Sequence, residues 1–543
     1  MATMAVWHLL PLLILVAPRA GGDVATADHA ELRQRLAEIQ QSLDSGHGQL
    51  EAFHRKLLAR TGTMSSWEAQ TSPAVSLVWM LICAVLSMNV FAGLGMLKAG
   101  ACRVKNVQHV LWLHGLDFGM ATLMWWIFGW AFAFSGPYKG VDRNVKGVFS
   151  SFHFKDNNFA GSKSFAGHGF LTTDDEGMQI PVGNTIAIWF FQWSNACLAA
   201  CIVSGGVAER VHWVPYTIYS FFFNLCIYPI IAAWSWGGGF LANMNIPGMV
   251  DRAGSGVVHL TGGIGALVGA ILCGSREERW DETPDAKSRV TMTPELFVPH
   301  SQPLMAFGTL TMWAGWYGLT CGSTLTLNPT YLESNVLAAQ IAMNTTLAAA
   351  AAGITACLLR TAIKKKNDLP AMCHGVLGGL VAISASCGSV ECGTAFGIGI
   401  GAGIIYVMFS ALLKVARIDD PADVFAVHAA CGMWGLFCAL LMDWGAGFSK
   451  VHGLMGLKCV GYPDCLDDGK NGSNIAGANF AAIFAIMAWA GFFSLIFFGI
   501  PKLAKKLNYT DTEDTGIDKV KHVPIKGYNF GSPKAAQFGL HSV

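Results

Sequence analysis

Of 543 residues, only 13% are Asp, Glu, Lys or Arg, against roughly 25% in an ordinary soluble domain. Apolar residues make up 53% before the 62 glycines are counted. A soluble surface cannot be covered with so little charge, whereas a bilayer accepts apolar surface as its own kind. A net charge of +1 leaves no basic footprint for nucleic acid.

The chain opens with the apolar run VWHLLPLLILVA and then APRAGG. This is too short to span a bilayer, and residues 1–27 read as a signal peptide cleaved between Ala20 and Ala27. Residues 28–72 form an extracellular region whose polar stretch 28–60 carries Leu32, Leu36, Ile39 and Leu43 on one stripe, the pattern of an amphipathic surface helix. From Pro73 the composition changes. Apolar segments of spanning length fall near 74–97, 110–134, 184–207, 212–235, 254–274, 302–322, 336–359, 371–388, 394–416, 422–442 and 475–500. The fold class is therefore an all-α polytopic membrane protein of about eleven spans. The membrane domain is 73–503, followed by a cytoplasmic tail, 504–543.

Orientation follows the basic residues. With the first span running outside to inside, the inner loops carry Lys98, Arg103, Lys105, Arg210, Arg276, Arg279, Lys287, Arg289, Arg360, Lys364, Lys365, Lys366, Lys414 and Arg417. The short outer loops around 323–335 and 387–393 carry none. The N-terminus is then extracellular and the tail cytoplasmic, in agreement with a cleaved signal. In this frame the Asn471-Gly-Ser473 sequon faces outward, as does the Cys459/Cys465 pair, which share one polar loop. Cys387 and Cys392 are a second candidate pair. The other cysteines lie mostly inside apolar runs, where they act as small buried hydrophobes. No CxxC spacing occurs among the 15, so no metal and no cofactor is expected. Gly397, Gly399, Gly401 and Gly403 sit in a span with no strand before them, and read as a surface for close helix packing. His374 opens the eighth span and reads as a solvated inner-face residue.

A faint internal repeat is the most informative feature. DRAGSGVVHLTGG (251–263) and DPADVFAVHAACG (420–432) share D-x-A-x4-V-H-x3-G, which sets His259 on the fifth span and His428 on the tenth. Two five-span units have opposite topology, because five is odd, and an eleventh helix follows. Inverted repeats place their site near the midplane where the halves meet. A single intramembrane histidine is often satisfied by a backbone carbonyl; two at equivalent positions point to a shared pathway. Axial ligation of a haem is one use of such a pair. A relay for a proton or a protonatable solute is the other, since imidazole donates on one nitrogen and accepts on the other.

Around these residues the sequence resembles the ammonium transporter (Amt) family, over about 74–525. The matching segments are DRAGSGVVHLTGGIGALVGA (251–270), GGVAERVHW (205–213), WSWGGGFLA (234–242), WYGLTCGS (316–323), RIDDPADVFAVHAACGMWG (417–435) and the tail TEDTGIDKVKH (512–522). The resemblance implies that His259 and His428 are twin pore histidines and that Trp236 and Ser323 recruit ammonium at the outer mouth. A tryptophan face attracts a cation by about 0.5–2 kcal/mol, although Trp236 also fits a plain interfacial anchor. Asp251 is implied to be structural, capping the fifth span. Also implied are a homotrimer in the plasma membrane, ammonium or ammonia as the solute, a regulator docking on the tail, and no enzymatic activity.

The chain departs from the family at the gate, where two phenylalanines are usual. Asn195 and Leu319 stand there instead, with Phe191 and Gln192 nearby, and Arg252 replaces an aromatic residue beside Asp251. The departure opens an alternative: a transport-deficient ammonium sensor or receptor of the same fold.

Overall fold

A backbone surrounded by apolar side chains and lipid must satisfy its own polar groups, and a helix does so within one segment. The computed structural model describes residues 66–134, 159–174, 176–182, 184–244, 248–277, 279–280, 297–325, 327, 333–441, 454–455, 459–460, 473–510 and 516–523. The chain divides into two compact units, Met1–Thr71 and Ser72–Val543, of which the second is the membrane body. Its helical segments are α1 (Ser66–Ala101), α2 (Val104–Phe134), α3 (Thr185–Gly206), α4 (Trp213–Ser235), α5 (Ser255–Cys273), α6 (Gln302–Gly322), α7 (Glu333–Lys364), α8 (Leu369–Ile383), α9 (Cys392–Val415), α10 (Phe425–Ala430 continuing as Cys431–Leu441) and α11 (Ser473–Leu503). Eight are long and apolar enough to cross a bilayer; α8 and the Phe425–Ala439 part of α10 are shorter, and α6 completes eleven among the described residues. This is the count expected from sequence.

The two repeat segments become α5 and α10, each opening on a π-helical stretch that holds its histidine. The helices run antiparallel: Gly256 lies against Leu436, and Gly263 lies against the backbone of Ala429. A Cβ on Gly263 would stand 2.5 Å from Ala429 N, so only glycine permits this approach. The carboxylates five residues ahead act alike. Asp251 accepts the N–H of Gly256 (2.9 Å), and also those of Gly254 and Val257, while Asp420 accepts that of Phe425 (2.8 Å). Small residues seat the neighbouring helices as well. Gly399 and Gly403 of α9 lie on Ala348 and Ala352 of α7, and Gly401 lies under Trp434.

Several sequence expectations need correction. The eighth helix ends at Ile383, not 388, because the carbonyls of Ser384 and Ala385 turn aside to receive the N–H groups of Ala253 and Arg252. Cys387 and Cys392 are free thiols, Cys387 being buried in that turn. Lys98, Arg210, Arg276 and Arg360, counted above as loop charges, are all buried. Their burial is possible because each finds oxygen or nitrogen partners in the protein. Arg276 pairs with both Glu209 and Asp419, and Arg103 joins Glu209. Burial alone would push the Glu209 carboxyl up, but Arg276 and Arg103 hold it below its usual range, and Arg276 does the same for Asp419. A short tail helix, α12 (Ile517–Lys521), caps α2: Asp518 accepts the N–H groups of Gln108 and His109 at 2.8 and 2.9 Å.

The signal segment, the 28–60 stripe, Asn471 and Cys465 lie outside the described residues. Cys459 belongs to a short strand, Cys459–Val460, which pairs antiparallel with Leu454–Met455.

Candidate functional site: a buried histidine pair

Where α5 and α10 cross, Nδ1 of His259 and Nδ1 of His428 come within 3.2 Å, with ring centroids 5.3 Å apart and planes 20° apart. The rings are 1% and 4% exposed. One Nδ1 must carry the shared hydrogen and the other must accept it, so the two rings are opposite tautomers. Trp316 of α6 stacks on His259 at 5.0 Å and 12°, and its Nε1 donates to Ser384 Oγ at 3.1 Å. Nε2 of His259 has no hydrogen-bond partner among the described residues.

The remaining residues singled out in the sequence fall into two groups, one around Trp236 and one around Ser323. Trp236, just past α4, donates Nε1–H to the carbonyl of Asp251 at 2.7 Å and lies against Gly254. Gly254 has φ +97°, a conformation that suits glycine. Burial pushes the Asp251 carboxyl up to about 6, against the backbone N–H groups that pull it down. In the other group, Ser323 ends α6 and gives its hydroxyl hydrogen to Thr320 O at 2.6 Å. The ring of Phe191 packs on the adjacent Gly322. Asn195 donates to Gln192 Oε1 at 3.3 Å, one turn along α3, and Leu319 is buried one turn below Ser323. Geometry thus joins His259 to His428, Trp236 to Asp251, and Phe191 to the turn of Ser323.

Sequence reasoning missed Trp316, visible only as one aromatic among many, and two buried polar clusters. In the first, Lys98 Nζ contacts His114 Nδ1 (2.8 Å), Ser204 Oγ (2.7 Å) and Cys201 O (2.9 Å), while Tyr216 donates to Asp117 (2.8 Å). In the second, His374, expected to be solvated, is only 5% exposed. Its Nδ1 lies 3.2 Å from Tyr406 OH, and Tyr406 and Ser410 donate to Asp423 at 3.2 and 3.0 Å. The first turn of α8 is roofed by α9, which hides His374 from water.

Two opposed helical units meeting at a dry ring pair define a polytopic membrane protein, and the described residues hold no cluster of metal-ligating groups. The chain matches the family model described as Ammonium Transporter Family over residues 78–526, and it belongs to that family. It is 29% identical over 481 residues to ammonium transporter 1 member 3 of Solanum lycopersicum, covering 84% of this chain and 94% of that protein. It is 34% identical over 369 residues to ammonium transporter Amt2 of Archaeoglobus fulgidus, covering 67% and 70%. The fold matches that of a sensor Amt protein with a TM-score of 0.68 at 24% identity, covering 83% of this chain and 99% of the other. Mep2 of Saccharomyces cerevisiae gives 0.63 at 23%, covering 81% and 88%. The family and the ammonium transporter fold expected from sequence are both borne out.

Proposed function

We propose that this chain recruits ammonium between Trp236 and Ser323 and passes it inward as ammonia, past Phe191 and Leu319 and along His259 and His428. The observation that carries this reading is the 3.2 Å contact between two buried imidazoles on antiparallel, repeat-related helices. A bare cation cannot shed its water in so apolar a passage without replacement ligands. Ammonium can, by leaving its proton behind. The indole face of Trp236 attracts the cation, and Asp251 shapes the mouth through backbone hydrogen bonds without meeting the solute. Asn195 and Gln192, bonded to each other, give the entrance a polar lining in place of stacked rings. The protein works as a homotrimer in the plasma membrane, with its N-terminus outside and its tail, anchored by Asp518, on the cytoplasmic side.

Ammonium uptake by proteoliposomes at two pH values, for wild type and His259→Ala, tests this. Wild type takes up ammonium, and the variant loses most of the flux. Binding without flux in wild type would replace transport with the receptor reading.

A further inference from the structure

Beyond the ring pair, one buried histidine has a side chain half used. We propose that His374 is a third relay histidine, carrying a proton from His428 onward to Asp423 at the inner end of the pathway. This rests on the transport reading above and deepens it by giving the proton an exit separate from that of ammonia.

The placement follows from helix packing. α8 and α10 run parallel, since Gly378 meets Cys431 and, one turn later, Ala382 meets Gly435. One turn back from the first contact stand His374 on α8 and His428 on α10, at one level. His374 is close enough to act electrostatically on His428. His374 Nε2 is buried and has no hydrogen-bond partner among the described residues.

Its tautomer is fixed by its neighbours. Tyr406 gives its own hydrogen to Asp423 Oδ2, so His374 Nδ1 must donate to the tyrosine oxygen. Nε2 is then a bare lone pair, ready to accept. A proton arriving there through a bridging water makes an imidazolium. Nδ1 passes its proton to Tyr406, Tyr406 passes its own to Asp423, and the carboxylate, 16% exposed, releases it to water. One proton enters and one leaves, and no electrons move. Asp423 Oδ2 also lies 3.8 Å from Nδ1, too long for a hydrogen bond but near enough to stabilise an imidazolium. The charged groups facing His374 are Asp423 ahead of α10, Lys414 of α9, Arg360 of α7 and Asp368 at the start of α8. Lys414 and Arg360 both donate to Ser410, which itself donates to Asp423. Asp423 is held at φ +50°, a conformation a non-glycine residue adopts only when its surroundings fix it.

The test separates charge from solute in proteoliposomes of the full chain. Ammonium-driven current is recorded on a solid-supported membrane, and ammonia entry by stopped-flow alkalinisation. His374→Gln and Tyr406→Phe are each expected to cut the current by about tenfold or more, a modest share of what a placed acid–base group contributes. Ammonia entry, which also reports correct folding, stays within about twofold. Wild-type currents in both variants, or current and ammonia entry falling together, overturn the relay. If wild type moves no ammonia at all, the transport reading fails, and nitrogen NMR of His374 judges this proposal separately. The Nδ1–H tautomer, lost in Tyr406→Phe, supports it; the Nε2–H tautomer overturns it.

Discussion

Each five-helix unit buries a cluster of polar side chains, and the two clusters are finished differently. In the first, all three hydrogens of Lys98 Nζ have acceptors, and His114 uses both nitrogens, Nδ1 accepting from Lys98 and Nε2 donating to Phe91 O at 3.0 Å. In the second, His374 keeps one nitrogen without a partner, and Asp423 stands partly open to water. Asp117 Oδ1 is left without a partner among the described residues, so the difference lies in the histidines: one saturated on both nitrogens rigidifies its core, whereas one with a vacant nitrogen pays a desolvation cost that a folded chain tolerates where it serves a task. Two units of opposite topology thus hold a lock on one side and, on the relay proposed above, a conduit on the other.

The lock breaks hardest at its cation. Lys98→Met leaves His114, Ser204 and the Cys201 carbonyl without their partner and removes the positive charge that acts on the buried Asp117 carboxylate, and is expected to cost about 3–5 kcal/mol. Thermal unfolding in detergent checks this; an unchanged midpoint would show that Lys98 is no lock. Next comes the ionic tie between the units, in which Arg276 bridges Glu209 and Asp419. Glu209→Gln is expected to cost about 3 kcal/mol. Both carboxyls are held below their unfolded range, so their contribution is present above the unfolded value and is lost as pH falls through the folded one. Wild type should therefore lose midpoint between about pH 5 and about pH 3 more steeply than Glu209→Gln. Parallel slopes would remove the tie.

Most of the fold was legible in the sequence because spans are long apolar runs, and the repeat was legible because both helices need Asp, His and Gly at fixed offsets. Asp251 and Asp420 each bond an N–H five residues on, and that contact keeps the offset the same in both copies. The clusters were not legible. Lys98 and Arg360 look like loop anchors because positive-inside reasoning counts charges near span ends and cannot see a helix running one turn further into a neighbour's shadow. His374 looks solvated for the same reason: its cover, Tyr406, is 32 residues away in sequence. Trp316 carried no signal among 18 tryptophans, since only the folded packing brings its ring over His259.

The same chemical change in both clusters sharpens the contrast. Tyr216 donates to buried Asp117 as Tyr406 donates to Asp423. Tyr216→Phe should cost about 2 kcal/mol, the penalty for a buried carboxylate losing a donor, and leave the ratio of current to ammonia entry unchanged. Tyr406→Phe should leave the unfolding midpoint nearly in place, because Ser410 still serves Asp423 and water reaches it, while the ratio collapses. Equal behaviour of the two variants would dissolve the distinction between lock and conduit. The smallest effect belongs to the pair between them. Trp316→Phe keeps a ring over His259 but drops the bond to Ser384, an expected loss of about 1 kcal/mol. The stack is what holds His259 in the plane that meets His428. Ammonia entry should therefore survive Trp316→Phe and fall in Trp316→Ala, where nothing stops the imidazole from turning away from its partner.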